Sequence, residues 1–330
     1  MNATKEVQNT SSVCTIDYKN IAITAVHGAI GSFSLIPQIM ILGAILLNQS
    51  LRSRKELLVV AWQMAVEALH SCALLKSSVE RIQLVATCQE GVPVHPWHCV
   101  TLVSNVLYIV TTPASALTNL CISLDRLVAL LYMTFYANVG VHYVVVSASV
   151  VLAISLCSYV AAAMLSYNIK DSVTVPQLCI STWASTQQFA AFSNSLSVSD
   201  LLAVLIYVIV VRLHKMYTNS VHSSLQSVVG QRQAKMTKVM LWVVTTTFWL
   251  YVVPWWIVIG VNAFSLDSTL TYVVSNICWI LTNSNKLCNA IIYMWRVDDV
   301  RKLACATPWN RISPNTDISM QVLAQKSANC

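Results

Sequence analysis

The sequence predicts an all-α membrane protein: a seven-transmembrane helix bundle with the N-terminus outside and a short amphipathic helix after the seventh helix. Three observations predict this fold: the scarcity of charge, seven long apolar stretches, and the uneven distribution of the basic residues. Only 10% of the 330 residues are charged, whereas soluble domains carry roughly a quarter charged residues. The mean hydropathy of +0.63 also excludes an ordinary soluble domain.

Seven stretches are apolar and long enough to cross roughly 30 Å of hydrocarbon. In chain order they cover 21–48, 57–76, 99–131, 142–167, 187–213, 237–263 and 270–295. The second is the least apolar because Gln63, Glu67 and His70 interrupt it. The first twenty residues are polar and contain no apolar core of a signal peptide, so the first helix is expected to direct membrane insertion. We therefore expect an exterior tail over 1–20, a membrane domain over 21–295, and a cytoplasmic amphipathic helix and tail over 296–330.

The basic residues set the predicted orientation. With the N-terminus outside, fourteen Lys or Arg lie in cytoplasmic segments and five lie outside, and Lys286 is the twentieth. Basic residues accumulate on the cytoplasmic side of membrane proteins. Two glycosylation sequons, at Asn2 and Asn9, fall in the predicted exterior tail. The net charge of +7 therefore reflects membrane orientation, and no nucleic-acid partner is expected.

Three motifs narrow the class of seven-helix protein. They are SLDRLVAL at the inner end of the third helix, FWLYVVP in the sixth, and NAIIY in the seventh. Together they resemble the motifs of rhodopsin-like G-protein-coupled receptors, over about residues 21–305. SLRSRKELLV, Glu67 and YMWRVDDVRKLA make the chain most similar to nematode serpentine chemoreceptors of the class SX type. The resemblance implies a receptor of the plasma membrane, including that of a sensory-neuron cilium, which binds a small-molecule or peptide ligand and activates a heterotrimeric G protein.

The resemblance assigns an activation switch to residues near the inner face. Arg126 is implied to meet the G protein when the sixth helix moves outward, and Asp125 is its resting partner. A hinge and a tyrosine pair complete the set: Pro254, Asn289, Tyr293 and Tyr207. The inner end of the sixth helix carries Lys235 and Lys238 where many relatives have an acid, so we expect weak locking and raised basal activity. Whether Trp249, Trp255 or Trp256 acts as the tryptophan switch is open.

Lys286 is the main anomaly within an apolar stretch, because a lone ammonium is costly in hydrocarbon. In relatives, a polar cluster at this place holds a sodium ion, and the matching residues here are Glu67, Ser115 and Asn285. The resemblance implies that Lys286 replaces the ion and that Glu67 balances it. Asp200 in the fifth helix is a second possible partner, and snorkelling of the lysine is a third reading. No metal and no cofactor are expected.

The outer half contains a predicted ligand pocket of aromatic and polar residues, namely Asn105, Tyr108, Trp255, Trp256 and Asn262. Tyr108 occupies the position where amine receptors have an aspartate, so a monoamine ligand is not expected. The resemblance implies a disulfide between Cys99 and Cys179, with Cys88 as a rival for Cys179. Cys305 after the seventh helix is a candidate for palmitoylation.

Two other classes of membrane protein compete with the receptor. A seven-helix odorant-type ion channel would place the N-terminus inside, and glycosylation at Asn2 or Asn9 would exclude it. A retinal pump or small ion transporter needs charges along a path, and Glu67, Lys286 and Asp200 are the only candidates. No set of nucleophile, base and orienting residue is apparent, so an enzyme is not expected.

Overall fold

The computed structural model describes residues 18–170, 173–179, 187–220, 228–264 and 268–305. Within these ranges seven long helical segments follow the predicted stretches in order. They are α1 (Tyr18–Leu47), α3 (Lys55–Ala86), α5 (Val103–Leu131), α7 (His142–Asn168), α8 (Gln187–Ser220), a composite sixth segment over 228–263, and α11 (Ser268–Arg296). Shorter helices join or extend them: α2 (Gln49–Arg52), α4 (Pro96–Thr101), α6 (Met133–Asn138) and α12 (Asp298–Cys305). The predicted sequons at Asn2 and Asn9 lie outside the described residues.

Several helix boundaries differ from the predicted stretches: α8 extends to Ser220, the sixth segment begins at Val228, and α3 and α5 differ at their outer ends. The second stretch was expected to end at residue 76, but α3 continues to Ala86 because Val79, Ile82 and Val85 extend its apolar spacing beyond the lipid-facing part. The third stretch was expected to be continuous from residue 99. Leu102 instead has extended backbone angles, φ −60° and ψ 132°, and separates α4 from α5.

Five segments are long and apolar enough to cross a membrane by length and composition, among the described residues. They are Asn20–Leu47, Lys55–Ala86, Val103–Leu131, His142–Asn168 and Lys235–Val261. α8 and α11 fall outside this group. Large apolar side chains such as Phe33 and Ile36 are more than half exposed on the outer surface of the bundle. Such a surface is expected where a helix faces lipid.

α1 and α3 pack closely through two glycines. A Cβ atom on Gly31 would lie 3.0 Å from the backbone oxygen of Ser71, and one on Gly28 would lie 3.0 Å from Cβ of Ser78. A contact of 3.0 Å is tighter than nine in ten real Cβ contacts, so glycine at these two positions allows the helices to approach without displacing Ser71 or Ser78. The close approach brings the polar face of α3 against α1, where Ser71 donates a hydrogen bond to Oε1 of Gln38 at 2.9 Å.

The sixth segment is irregular, as its proline predicts. α9 (Val228–Thr247) leads into one π-helical turn, Phe248–Val252, and then into α10 (Val253–Ala263). Pro254 lies in the first turn of α10, where its missing N–H is tolerated. The π turn accommodates the carbonyl group that the proline leaves without a helical partner.

A disulfide and a small sheet organise the outer end. Cys99 at the end of α4 is bonded to Cys179, with Cα atoms 5.2 Å apart. Cys88 is itself disulfide-bonded, so it does not compete for Cys179. β1 (Pro93–Val94) pairs antiparallel with β2 (Val175–Pro176). The loop before α4 and the loop after α7 are therefore tied together above α5.

Candidate functional site

The inner arginine is buried and is held by its neighbour. Arg126 is 1% exposed, and its Nε donates to Oδ2 of Asp125 at 2.9 Å. Asp125 also accepts hydrogen bonds from the hydroxyl of Tyr136 in α6, at 3.3 Å, and from the hydroxyl of Tyr143 in α7. Burial raises the pKa of Tyr136 to about 12, so its hydroxyl keeps the proton that it donates. Aromatic hydroxyl groups thus surround the ion pair, and sequence reasoning missed both of them.

Tyr136 is in turn fixed to α3. Nζ of Lys55 donates to the backbone oxygens of Tyr136 and of Val139, the latter at 3.0 Å. The same ammonium lies 3.7 Å from the centroid of the Tyr136 ring, which is a cation–π geometry. The loop between α5 and α7 is therefore anchored to the first turn of α3, beside the Asp125–Arg126 pair.

A buried polar cluster occupies the middle of the bundle. Glu67 is 1% exposed, and its Oε1 accepts from Gln63 at 3.0 Å and from Asn289 at 3.4 Å. Asp200 in α8 is equally buried, and its Oδ1 accepts from Asn119 at 2.9 Å. The second oxygen of each carboxyl group is buried and has no hydrogen-bond partner.

Lys286 lies in the field of both carboxyl groups. It is 4% exposed and interacts electrostatically with Glu67 and with Asp200. Among the described residues, however, no carboxylate oxygen lies within 4.0 Å of its Nζ. Glu67 and Lys286 therefore act on each other electrostatically without a contact ion pair among the described residues.

The other predicted members of the cluster behave differently. Asn285 donates to Oγ1 of Thr247 at 3.4 Å, which ties α11 to α9. Ser115 has no hydrogen bond among the described residues. Its place is taken one turn later by Asn119, which accepts from Gln63 at 3.4 Å and donates to Asp200. The spacing of four residues after Ser115 was the signal that could have identified Asn119.

The two tyrosines of the predicted switch have separate partners. Tyr293 is fully buried, and its hydroxyl donates to Oε1 of Gln63 at 2.8 Å. The hydroxyl of Tyr207 donates to the backbone oxygen of Thr237 in α9 at 2.6 Å. A continuous path of hydrogen bonds therefore runs from Tyr293 through Gln63 to Glu67, and Tyr207 fastens α8 to α9.

The outer half contains an aromatic cluster. The Tyr108 ring lies 4.9 Å from His70 and 6.1 Å from Trp279, measured between centroids. Trp255 meets Trp279 edge-on at 5.7 Å, and its Nε1 is buried without a partner. Sequence reasoning missed Trp279, although it lies seven residues before Lys286 and hence on the same face of α11.

Two of the remaining predicted pocket residues, Asn105 and Trp256, point elsewhere. Asn105 donates to the backbone oxygens of Cys99, at 2.8 Å, and Cys179, at 3.4 Å, so it supports the disulfide. Trp256 is 43% exposed on the outer surface, as is Trp249 at 61%. Asn262 lies in α10, but its side chain is outside the described part of the chain.

α12 is attached to the bundle by charge and by apolar contact. Asp298 accepts from Nζ of Lys235 in α9, and Asp299 accepts from Nη1 of Arg54 at 2.7 Å. The hydrogen bond from Lys235 lowers the pKa of Asp298, which stays ionised. Val300 is buried beneath the helix. Cys305 ends α12, but its side chain is outside the described residues.

Comparison with known families gives one match. The family described as "Serpentine type 7TM GPCR chemoreceptor Srsx" matches residues 30–306, which include the arginine site, the buried polar cluster and the aromatic cluster. The comparison with curated proteins gives no match.

Proposed function

The chain belongs to the serpentine type 7TM GPCR chemoreceptor family Srsx, and we propose that it binds a small extracellular ligand and activates a heterotrimeric G protein. In this proposal all seven long segments cross the plasma membrane, with the N-terminus outside. The basic residues support the orientation. α8 and α11 are rich in Ser, Thr, Asn and Gln, and they contribute Asp200 and Lys286 to the interior.

The observation that carries the proposal is the burial of Arg126 beside Asp125 at one end of the bundle. A guanidinium keeps its charge and offers five donors in a fixed fork, so it can exchange one acceptor for another without changing protonation. In the resting state its acceptor is Asp125. On activation, the G protein supplies backbone or side-chain oxygens instead.

The resting arrangement restrains Arg126 without an acid in the sixth segment. Tyr136 and Tyr143 hold Asp125, and both belong to elements that are anchored to α3 or to lipid-facing α7. Movement of α9 therefore does not have to break an ion pair with Arg126. For this reason we retain the expectation of measurable signalling without ligand.

The ligand signal would reach the inner face through the irregular sixth segment. Trp255 stands directly after the π turn and Pro254, and it packs on Trp279 of α11. A ligand that displaces Trp255 changes the strain on this hinge. Just before the π turn of the same segment, Thr246 donates to Oδ1 of Asn289 at 3.2 Å. Movement of the segment therefore also displaces a hydrogen bond of the polar cluster.

Basal G-protein activation in cells tests the proposal. Wild type and Arg126→Ala are compared at matched surface levels, with Arg212→Ala as the control because Arg212 is an exposed arginine on α8. We expect a ligand-free signal in wild type and in Arg212→Ala that is lost in Arg126→Ala. Equal signals from all three chains would contradict the receptor mechanism, and ionic currents in the same cells would indicate the channel or transporter instead.

A further inference from the structure

One cation near the outer end of α3, Arg81, makes no direct ion pair among the described residues, although the charge of Glu80 acts on it. Arg81 follows Glu80 directly, but both oxygens of Glu80 are already engaged. Oε1 pairs with Nζ of Lys76 at 2.8 Å, and Oε2 accepts from the hydroxyl of Ser104 in α5 at 2.5 Å. Within the described residues Arg81 makes no hydrogen bond and no ion pair. The local charge of α3 is therefore one positive charge in excess, and it resides on Arg81.

The Arg81 guanidinium is partly buried. It interacts electrostatically with Tyr108 in α5, with the adjacent Glu80, and with His27 in α1. Nε2 of His27 is buried and has no hydrogen-bond partner. A partly buried charge and a buried ring nitrogen without partners are both costly, and native structures seldom leave such groups unsatisfied.

The same site adjoins the aromatic cluster. Tyr108 connects Arg81 to the stack of Trp279 and Trp255, and Nε1 of Trp255 is a third polar atom without a partner. Indole N–H only donates, a guanidinium only donates, and a neutral imidazole donates when its proton is on Nε2. The polar atoms that await a partner can thus all donate to one class of ligand, an acceptor.

We propose that the ligand of this receptor is a monoanion, a carboxylate joined to a flat apolar or aromatic body. Arg81 binds the carboxylate through its fork of N–H groups, which fits two oxygens at once, and His27 adds a donor from α1. The body of the ligand packs among Tyr108, Trp279 and Trp255. One excess positive charge matches one negative charge, which selects a monoanion over a dianion. The inference rests on the proposed receptor function and gives its ligand a chemical class.

Thermal unfolding of the purified full chain in detergent tests the inference with a matched pair of probes. Benzoate has the carboxylate and the aromatic ring, and benzamide has the same shape without the charge. Both are added at equal concentration with sodium chloride adjusted to constant ionic strength. We expect benzoate to raise the unfolding temperature of the wild type more than benzamide does.

Variants of Arg81 test whether this residue causes the preference for benzoate over benzamide. Arg81→Gln is expected to bind benzoate about tenfold to a hundredfold more weakly, because a charge-assisted pair is lost. Arg81→Lys retains the charge without the fork and should bind with intermediate affinity. Lys170→Gln removes a positive charge elsewhere on the outer side and should keep the wild-type preference. Because Arg81 is a partly buried charge that makes no hydrogen bond and no ion pair among the described residues, Arg81→Gln should unfold at a temperature no lower than that of the wild type when no probe is present.

Two results would overturn the inference. One is that benzoate fails to stabilise the wild type more than benzamide, including the case in which neither stabilises it. The other is that Arg81→Gln keeps the preference for benzoate. Basal signalling separates this failure from that of the proposed function, because it is measured without any probe. If the ligand-free signal of the wild type still exceeds that of Arg126→Ala while benzoate shows no preference, the ligand inference fails and the proposed receptor function does not.

Discussion

The contact between Lys235 and Asp298 should restrain the sixth segment. Lys235 lies in α9, and Asp298 opens α12 on the other side of the inner face. α12 is itself held to the turn before α3 through Arg54 and Asp299. Outward movement of α9 would separate Lys235 from Asp298, so the ion pair favours the resting state. Asp298→Asn is therefore expected to raise basal G-protein activation.

The expected rise in basal activation is small because the side chains of Lys235 and Asp298 are exposed. The side chain of Lys235 is 59% exposed and that of Asp298 is 38% exposed, so solvent screens their attraction. Exposed ion pairs of this kind contribute about 0.2–1 kcal/mol, and the upper limit corresponds to about a fivefold change in the ratio of active to resting receptor. An increase in basal signal of up to about fivefold is expected, and a larger increase would need another cause.

A double-mutant cycle isolates the pair. Basal activation is measured for Lys235→Gln, Asp298→Asn and the double variant at matched surface levels. If the pair is the restraint, the double variant should be no more active than either single variant. Asp299→Asn is the control, because it makes the same chemical change at the next residue and its partner Arg54 does not lie on α9.

The dependence of basal activity on salt and pH, measured in isolated membranes, tests the role of the Lys235–Asp298 ion pair a second time. High ionic strength should raise basal nucleotide exchange of the wild type towards that of Asp298→Asn, since the pair is exposed. The pKa of Asp298 is lowered, so the pair is present above the ordinary aspartate pKa of 3.8 and is lost only as pH falls through a still lower value. The ratio of mutant to wild-type activity should therefore be constant between about pH 6 and pH 8. Additive effects of the two single variants, or an equal rise in Asp299→Asn, would refute this reasoning.

Three further predictions concern the interior. Tyr143→Phe removes a donor to the acid beside the inner arginine, worth about 1.5–3 kcal/mol when the acceptor is charged, and should raise basal signalling at constant surface level. Gly31→Ala forces a Cβ atom to within 3.0 Å of a backbone oxygen of α3 and should lower the unfolding temperature, whereas Gly43→Ala, with nothing within 4 Å, should not. Lys286→Met leaves two buried carboxyl groups without the cation whose charge acts on both, which is unfavourable for buried charges, and should reduce the amount of receptor at the cell surface. Glu67→Gln in the same chain should restore part of that amount, and independent losses from the two changes would count against the electrostatic coupling.

Apolar stretches allowed most of the helices to be predicted, because a chain in hydrocarbon must satisfy its backbone hydrogen bonds within each helix. The ends of the helices were less predictable. Leu102 is as apolar as its neighbours, yet it separates α4 from α5 where the chain carries the disulfide of Cys99. The continuation of α3 to Ala86 follows the spacing of Val79, Ile82 and Val85, which a search for an uninterrupted apolar stretch does not detect.

The sequence could not predict the direction in which side chains point around the π turn. Trp255 and Trp256 are adjacent and have the same chemistry, so composition ranks them equally. The structure turns Trp255 towards Trp279 and leaves Trp256 on the outer surface. A π turn inserts a residue into the helical repeat and rotates the later residues about the helix axis, so a regular helical wheel cannot assign these faces. The aromatic donors to Asp125 were missed for a related reason, since a short helix between α5 and α7 determines where Tyr136 lies.

For Lys286, the sequence predicted the presence of a nearby acid but not the geometry of the site. Its position in an apolar stretch requires a nearby acid, and the sequence contains two candidates at the right depth, Glu67 and Asp200. Coulomb attraction alone does not choose between them, because it acts on both. The structure places the ammonium in the field of both acids, with no carboxylate oxygen within ion-pair distance among the described residues. Two neutral amides, those of Gln63 and Asn119, donate to one oxygen of each acid instead. No charge pattern in the sequence reveals these amides.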